Sequence, residues 1–266
     1  MRAYSFAAAS ALVPLLASAA TGDEELQKQL ANPVADLVTF PIQYTATAHV
    51  GPFEKPLHAL NLQPVYPTRL GADWNLINRV ILPLISTPAA APGEGREHGI
   101  GDVVYEGFFS PAANPGGLIW GVGPAVQLRT ASDPRLGSGK WAAGPTMVAI
   151  VQPGKWTAGA LVTQLWSFAG AGNRPDMNQL QLQPIFSYRL SPQHSIGYLG
   201  IFTANWDQPS GQRWTVPIGA TYSILARPSW VSTPVNFIIG AGKNIERPSG
   251  VGDWFFRFQV NFVFPK

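Results

Sequence analysis

The chain has 266 residues, a formal net charge of +3 and only 12% Asp, Glu, Lys and Arg, against roughly 25% in soluble domains. A charge content this low excludes a basic nucleic-acid footprint. The absence of cysteine excludes a disulfide framework, a thiolate metal site and a lipid-modified N-terminal cysteine.

The first residues, MRAYSFAAASALVPLLASAA, combine Arg2, an apolar run from Phe6 to Leu16 and the small-residue stretch Ala17-Ser18-Ala19. This is the pattern of a secretory signal peptide over 1–19, cleaved after Ala19. No later apolar run approaches the length a membrane-spanning helix needs, about 18 residues or more. The next segment, 20–37, contains GDEELQKQLANPVADL, a short helix with acidic residues in its first turn that ends near Asn32-Pro33. Leu26, Leu30, Val34 and Leu37 are spaced for one face. The segment reads either as a periplasmic tether or as a plug that enters a barrel mouth.

From 38 to 266 the sequence predicts about twelve strands, separated by Gly, Pro, Asn, Asp or Ser clusters. In the first, Val38, Phe40, Ile42, Tyr44 and Ala46 alternate with Thr39, Gln43, Thr45 and Thr47. Leu60, Leu62 and Tyr66 oppose Asn61 and Gln63. Leu180, Leu182, Phe186, Tyr188 and Leu190 oppose Gln179, Gln181, Gln183, Ser187 and Arg189. Trp214, Val216, Ile218, Ala220 and Tyr222 oppose Arg213, Thr215, Gly219 and Thr221. The last strand sets Trp254, Phe256, Phe258, Val260, Phe262 and Phe264 against Arg257, Gln259 and Asn261. Around 140–168, Gly, Ala and Thr occupy both faces and the facing is undecided.

A soluble sandwich would carry Lys and Glu on its polar faces. These faces carry Gln, Asn, Thr, Ser and a few Arg, which suits a wet, crowded lumen, while the aromatic faces suit lipid. The expected fold is therefore all-β, an antiparallel transmembrane β-barrel of about 12 strands with a short N-terminal helical segment. Long and short connections largely alternate, as they do when one end is external. Pro64, Pro83, Pro124, Pro145, Pro184 and Pro217 fall inside predicted strands, so each is expected at a bulge or a strand end.

Alternation places Arg79, Asp102, Glu106, Arg129, Gln181, Gln183, Arg189, Arg213, Arg257 and Asn261 on the lumen side, with Gln63. They read either as ion pairs that fill a narrow interior or as a selectivity ring of Arg against Asp and Glu. No catalytic, cofactor-binding or metal site is expected. Only His49, His58, His98 and His194 are present, without H-E-x-x-H or G-x-S-x-G. His194 and Ser195 are adjacent and would point to opposite faces of a strand.

The ordered stretches LANPVADLVTFPIQ, LNLQPVYP, DWNLINRVILPLI, GIGDVVYEGFFSP, WGVGPAVQLRTASD, GSGKWAAGPT, WSFAG, QRWTVPIG and FVFPK resemble bacterial outer-membrane putative transporters similar to the MetA-pathway of phenol degradation group. The resemblance implies an outer-membrane β-barrel with a transport role and no defined substrate. Assembly signals usually finish on an aromatic residue, whereas Pro265-Lys266 follow Phe264 here. The expected partners are outer-membrane lipid, the barrel-assembly machinery and a small solute. The expected function is passive passage of a small aromatic or hydrophobic solute. The alternatives are a barrel-embedded lipid hydrolase and a structural or adhesive barrel without transport.

Overall fold

The computed structural model describes residues 22–264; the leader at 1–19 and Pro265-Lys266 lie outside them. A strand needs a hydrogen-bonding neighbour on each edge. In hydrocarbon, where no water can substitute, a set of strands can meet that need only by closing on itself. Fifteen strand segments do so: β1 (Val38–Val50), β2 (Lys55–Leu62), β3 (Val65–Leu70), β4 (Trp74–Thr87), β5 (Glu97–Ile100), β6 (Val103–Pro111), β7 (Leu118–Leu128) and β8 (Lys140–Val151) are followed by β9 (Trp156–Gly170), β10 (Asn178–Arg189), β11 (His194–Tyr198), β12 (Phe202–Asn205), β13 (Trp214–Ala226), β14 (Val235–Glu246) and β15 (Trp254–Phe264). Every pairing is antiparallel, and β1 joins β15 from Val38↔Phe264 to Thr47↔Phe255 to shut the ring. β2/β3, β5/β6 and β11/β12 are single strands each broken once, so the barrel has twelve strands.

The connections 51–54, 88–96, 129–139, 171–177, 206–213 and 247–253 lie at one end. The generally shorter 71–73, 112–117, 152–155, 190–193 and 227–234 lie at the other, where β1 begins and β15 ends. Longer loops mark the external end of such barrels.

All six prolines sit where the ladder is interrupted. Pro64 follows the break between β2 and β3, and Pro217 marks a register shift against β14. Pro83 faces the β5/β6 break, with Gly101 N donating to its carbonyl. Pairing lapses at Pro124 on the β6 side, at Pro145 on the β9 side and at Pro184 opposite residues 199–201. A missing N–H costs little where no carbonyl is waiting for it. Beside Pro145 the strands pinch together, and a Cβ on Gly144 would meet the Gln164 carbonyl oxygen at 1.9 Å.

The outer wall is apolar. Phe256, Phe258 and Phe264 alternate as exposed side chains with inward Arg257, Gln259, Asn261 and buried Val263. Met147, Val122, Ile218 and Ile239 continue the exposed belt on other strands. Aromatic groups crowd its two borders. Trp206 packs edge-on against Trp214 near the external end, while Trp74 meets Trp120, and Trp156 meets Phe186 and Tyr188, near the opposite end. Two aromatic girdles around an apolar band are what a bilayer requires of a barrel.

The outward face sets the first prediction. Phe258, 42% exposed and midway along β15, replaced by Arg should lower stability by about 2–4 kcal/mol in refolding titrations in bilayers. Gln259→Ala on the inner face should change it far less. Equal losses for the two would contradict the facing.

Candidate functional site

Inside the ring the interior has two unlike parts. Along β4, β6, β8 and β9, the inward side chains Ile77, Phe108, Val148, Ile150 and Leu161 form a buried apolar cluster, and Val34 of the N-terminal segment inserts into it. The expectation of a uniformly polar, wet inner face is thus corrected. The Gly-, Ala- and Thr-rich strands β8 and β9 supply much of this apolar surface.

The N-terminal segment occupies the turn-end mouth. Its helix spans 22–30, and Leu26 and Leu37 pack on Leu225 and Val263 of the wall. The helix is tied to the rim beside the 152–155, 190–193 and 227–234 connections. Arg189 Nη2 donates to Glu24 Oε1 at 2.7 Å, Gln193 Nε2 donates to Asp23 Oδ2 at 2.8 Å, and Arg227 also pairs with Asp23. Gln152 Nε2 donates to the Lys28 carbonyl and Gln27 Nε2 to that of Gln193, both at 2.8 Å. Past the helix, Asn32 Oδ1 accepts from Val34 N, which turns the chain so that Val34 faces the apolar cluster.

Between this segment and the wall lies a cavity of ≈ 250 Å³. Leu30, Ala35, Leu37, Val65 and Ile185 give it apolar surface; Gln43, Gln63, Gln183, Gln259, Arg79, Arg257 and Asn261 give it a polar side. Arg79 stands directly across the ladder from Glu106, donating to it at 3.3 Å and to Gln63 Oε1 at 3.0 Å. Thr163 reaches the other oxygen of Glu106 from β9 at 2.9 Å, and Thr146 shares a 2.7 Å hydrogen bond with Thr163. Glu106 is thereby fully buried with two kinds of partner. Arg257 Nε donates to Thr45 Oγ1 at 3.4 Å, a neutral group. Asn261 Oδ1 is buried without a hydrogen-bond partner among the described residues.

The remaining residues singled out from the sequence take other places. Gln181 is on the inner face of β10, in register with buried Thr163. Asp102, at the β5/β6 break, accepts from Ser138 N, Ser138 Oγ, Gln127 Nε2 and Ala131 N, so it holds the 129–139 loop instead of joining the Arg79 group. Two placements are corrected. Arg129 lies beyond the end of β7 and is exposed, because alternation has no force once the strand stops. Arg213 precedes β13, and its guanidinium lies over the Trp206 ring at 5.6 Å. Trp206 itself donates to Gln164 on the outer face. The stacking draws Arg213 out of the lumen. Thr146, Thr163 and Val34 are the inner residues that spacing did not single out as a group.

The hydrolase arrangement also finds no support at Ser195. Its hydroxyl shares a hydrogen bond with Ser223, while His194 turns to Tyr222. Among the described residues there is no group of three or more side chains that could hold a metal ion.

Neither a family model nor a curated protein matches the sequence. Solved structures do. A crystal structure of an outer membrane channel from Pseudomonas putida F1 covers 86% of this chain and 96% of its own, at 15% identity and a TM-score of 0.55. Outer membrane phospholipase A from Escherichia coli covers 92% of this chain and 98% of its own, at 14% identity, but its TM-score of 0.42 is too low to carry an argument. The fold is that of the bacterial outer-membrane barrels.

Two predictions arise from this geometry. Arg79→Ala strands the buried Glu106 carboxylate and should cost about 3–5 kcal/mol in refolding midpoints, whereas Arg213→Ala on the outer rim should cost no more than about 1 kcal/mol. The second concerns the 171–177 loop. Asp176 is held below the usual carboxylate range by the hydrogen bond from Lys140 Nζ at 2.7 Å, by that ammonium charge and by Ser167. A carboxyl more acidic in the folded protein than when free contributes its full stability at neutral pH. It loses that contribution as the pH falls below the ordinary value of 3.8. The protection of the loop amides, taken relative to the intrinsic exchange rate at each pH, should therefore fall on acidification, and Asp176→Asn should abolish that fall.

Proposed function

We propose that the chain is an outer-membrane channel for passive passage of a small solute with an aromatic or hydrophobic body and a polar or anionic end. The observation that carries this reading is the two-sided cavity between the N-terminal segment and the wall. Its apolar side, with Leu30, Val65 and Ile185, suits the body of such a solute. Its polar side offers the unpartnered Asn261 oxygen to a donor and the Arg257 guanidinium, which no carboxylate pairs, to an anion. Ligand pockets combine apolar lining with placed polar groups, and this cavity has both, with the polar side the larger.

Charge gives the reading a sign. Arg79 and Arg257 both line the cavity, and Glu106 compensates the first. One positive charge is left over on the path, and fixed charges of one sign along a pore favour ions of the opposite sign.

Planar-bilayer recordings of the mature chain test this. The channel should show anion preference, and Arg257→Ala should shift the reversal potential toward cations. Deleting 22–36 should raise the single-channel conductance several-fold, since that segment fills the turn-end mouth. A deleted form that inserts, resists heat unfolding as a barrel and still conducts nothing would refute the channel reading.

A further inference from the structure

On the outer wall near the external end, two rows of side chains cross β2, β4 and β5. The row nearer the loops is His58↔Ser86↔His98, and two residues toward the membrane centre runs Leu60↔Leu84↔Ile100. Tyr44 flanks the lower row on β1. Exposed Leu84 and Ile100 mark this as the outward face, and the two rows line a groove of ≈ 360 Å³.

A cation stands over the upper row. Arg96 Nη1 donates to the Ser86 carbonyl at 3.1 Å and to Ser86 Oγ at 3.2 Å, while Nη2 donates to the Pro56 carbonyl at 2.8 Å. All three acceptors are neutral. The carboxylates on either side of it in sequence, Glu94 and Glu97, are both engaged by Arg135. Tyr44 Oη and His58 Nδ1 share a 2.7 Å hydrogen bond, which holds the imidazole and leaves Nε2 as the ring nitrogen available to a ligand. Lys243 over Trp254 is a further cation at this end, set on a girdle ring.

A hydrogen-bonding row with a cation above an aliphatic row has the polarity order of a lipid headgroup and the start of its acyl chain. We infer that this groove binds one anionic lipid of the surrounding leaflet. Its phosphate would be held by Arg96, His58 Nε2 and His98, and an acyl chain would lie along Leu60, Leu84 and Ile100. Guanidinium is suited to phosphate because its planar donors match the oxygens in pairs. Basic sites at headgroup depth recognise anionic lipids by the same chemistry.

The test is native mass spectrometry of the full mature chain released from phosphatidylcholine vesicles containing a minor share of phosphatidic acid. One phosphatidic acid should be retained in preference to phosphatidylcholine. The Arg96→Ala/His98→Gln variant should lose that retention by about tenfold, as expected for removing charge-assisted hydrogen bonds. Arg96→Lys should keep part of it. His194→Gln, at the His–Tyr pair near the opposite end, should change nothing, and unchanged heat-modifiable mobility will show that each variant folds. Retention of both lipids in their bulk ratio would overturn the proposal. So would displacement by inorganic phosphate alone, or an Arg96 variant that binds as before. Release of fatty acid from the retained lipid would replace binding by hydrolysis and overturn it equally.

Discussion

The seam between β1 and β15 is the contact on which the structure depends. Ten successive residue pairs, Val38↔Phe264 to Thr47↔Phe255, join the first strand to the last. Without it both edges would present unpaired backbone to hydrocarbon, at several kcal/mol for each group. The seam also sets the facing of both strands. Tyr44 stands opposite Phe258 on the outside, and Thr45 opposite Arg257 on the inside. A slip of one residue would turn Arg257 into the lipid and Phe258 into the lumen.

Closure leaves no edge on which the six prolines could sit. An open sheet puts proline on its edges, and a closed one has none. Here the ladder itself is interrupted, at the cost of a few local pairings, and two of the interruptions, at Pro64 and Pro184, fall beside the cavity. LNLQPVYP and LQLQPIFS carry Gln63-Pro64 and Gln183-Pro184, each at a lapse in pairing. β2/β3 and β10 are six strands apart in a ring of twelve, on opposite sides of the lumen. Gln63 with Val65 and Gln183 with Ile185 thus face the same cavity from both walls. The near repeat has a structural meaning: each copy pairs a relaxed stretch of wall with one amide and one branched aliphatic side chain at the lumen.

Much of this was legible in the chain, because period two is a strong signal wherever large apolar and polar residues alternate. β1, β10, β13 and β15 could be faced correctly from their residues alone. The signal fails for physical reasons elsewhere. Ala142, Gly144, Thr146 and Thr163 are small or ambivalent, so β8 and β9 carry no contrast between faces, although Thr146 and Thr163 are both buried. Arg129 and Arg213 keep the right parity but lie past the strand ends, where local contacts decide direction. The apolar inner cluster was hidden for a different reason. Ile77 and Phe108 count as inward only once Arg79 and Glu106 on the same faces are fixed, and their partner Val34 comes from outside the barrel sequence.

The apolar cluster and the charged group depend on one another. A barrel of this size must be filled or it must hold water, and the two sides of this lumen make opposite choices. Where Val34 meets Ile77, Phe108 and Leu161 the side chains are buried and apolar and offer water no hydrogen-bond partner. Immediately beside it, buried Glu106 accepts from Thr163 and Arg79, and Thr146 backs Thr163. The dry cluster lowers the local dielectric and so strengthens the Arg79–Glu106 attraction, while making either charge alone more costly. Arg257 lines the same cavity as Arg79 without a carboxylate partner, and a neutral threonine holds it in place. The two arginines of the cavity therefore differ in partner: Arg79 is neutralised by Glu106 beside the packed cluster, and Arg257 keeps its charge with only a neutral threonine.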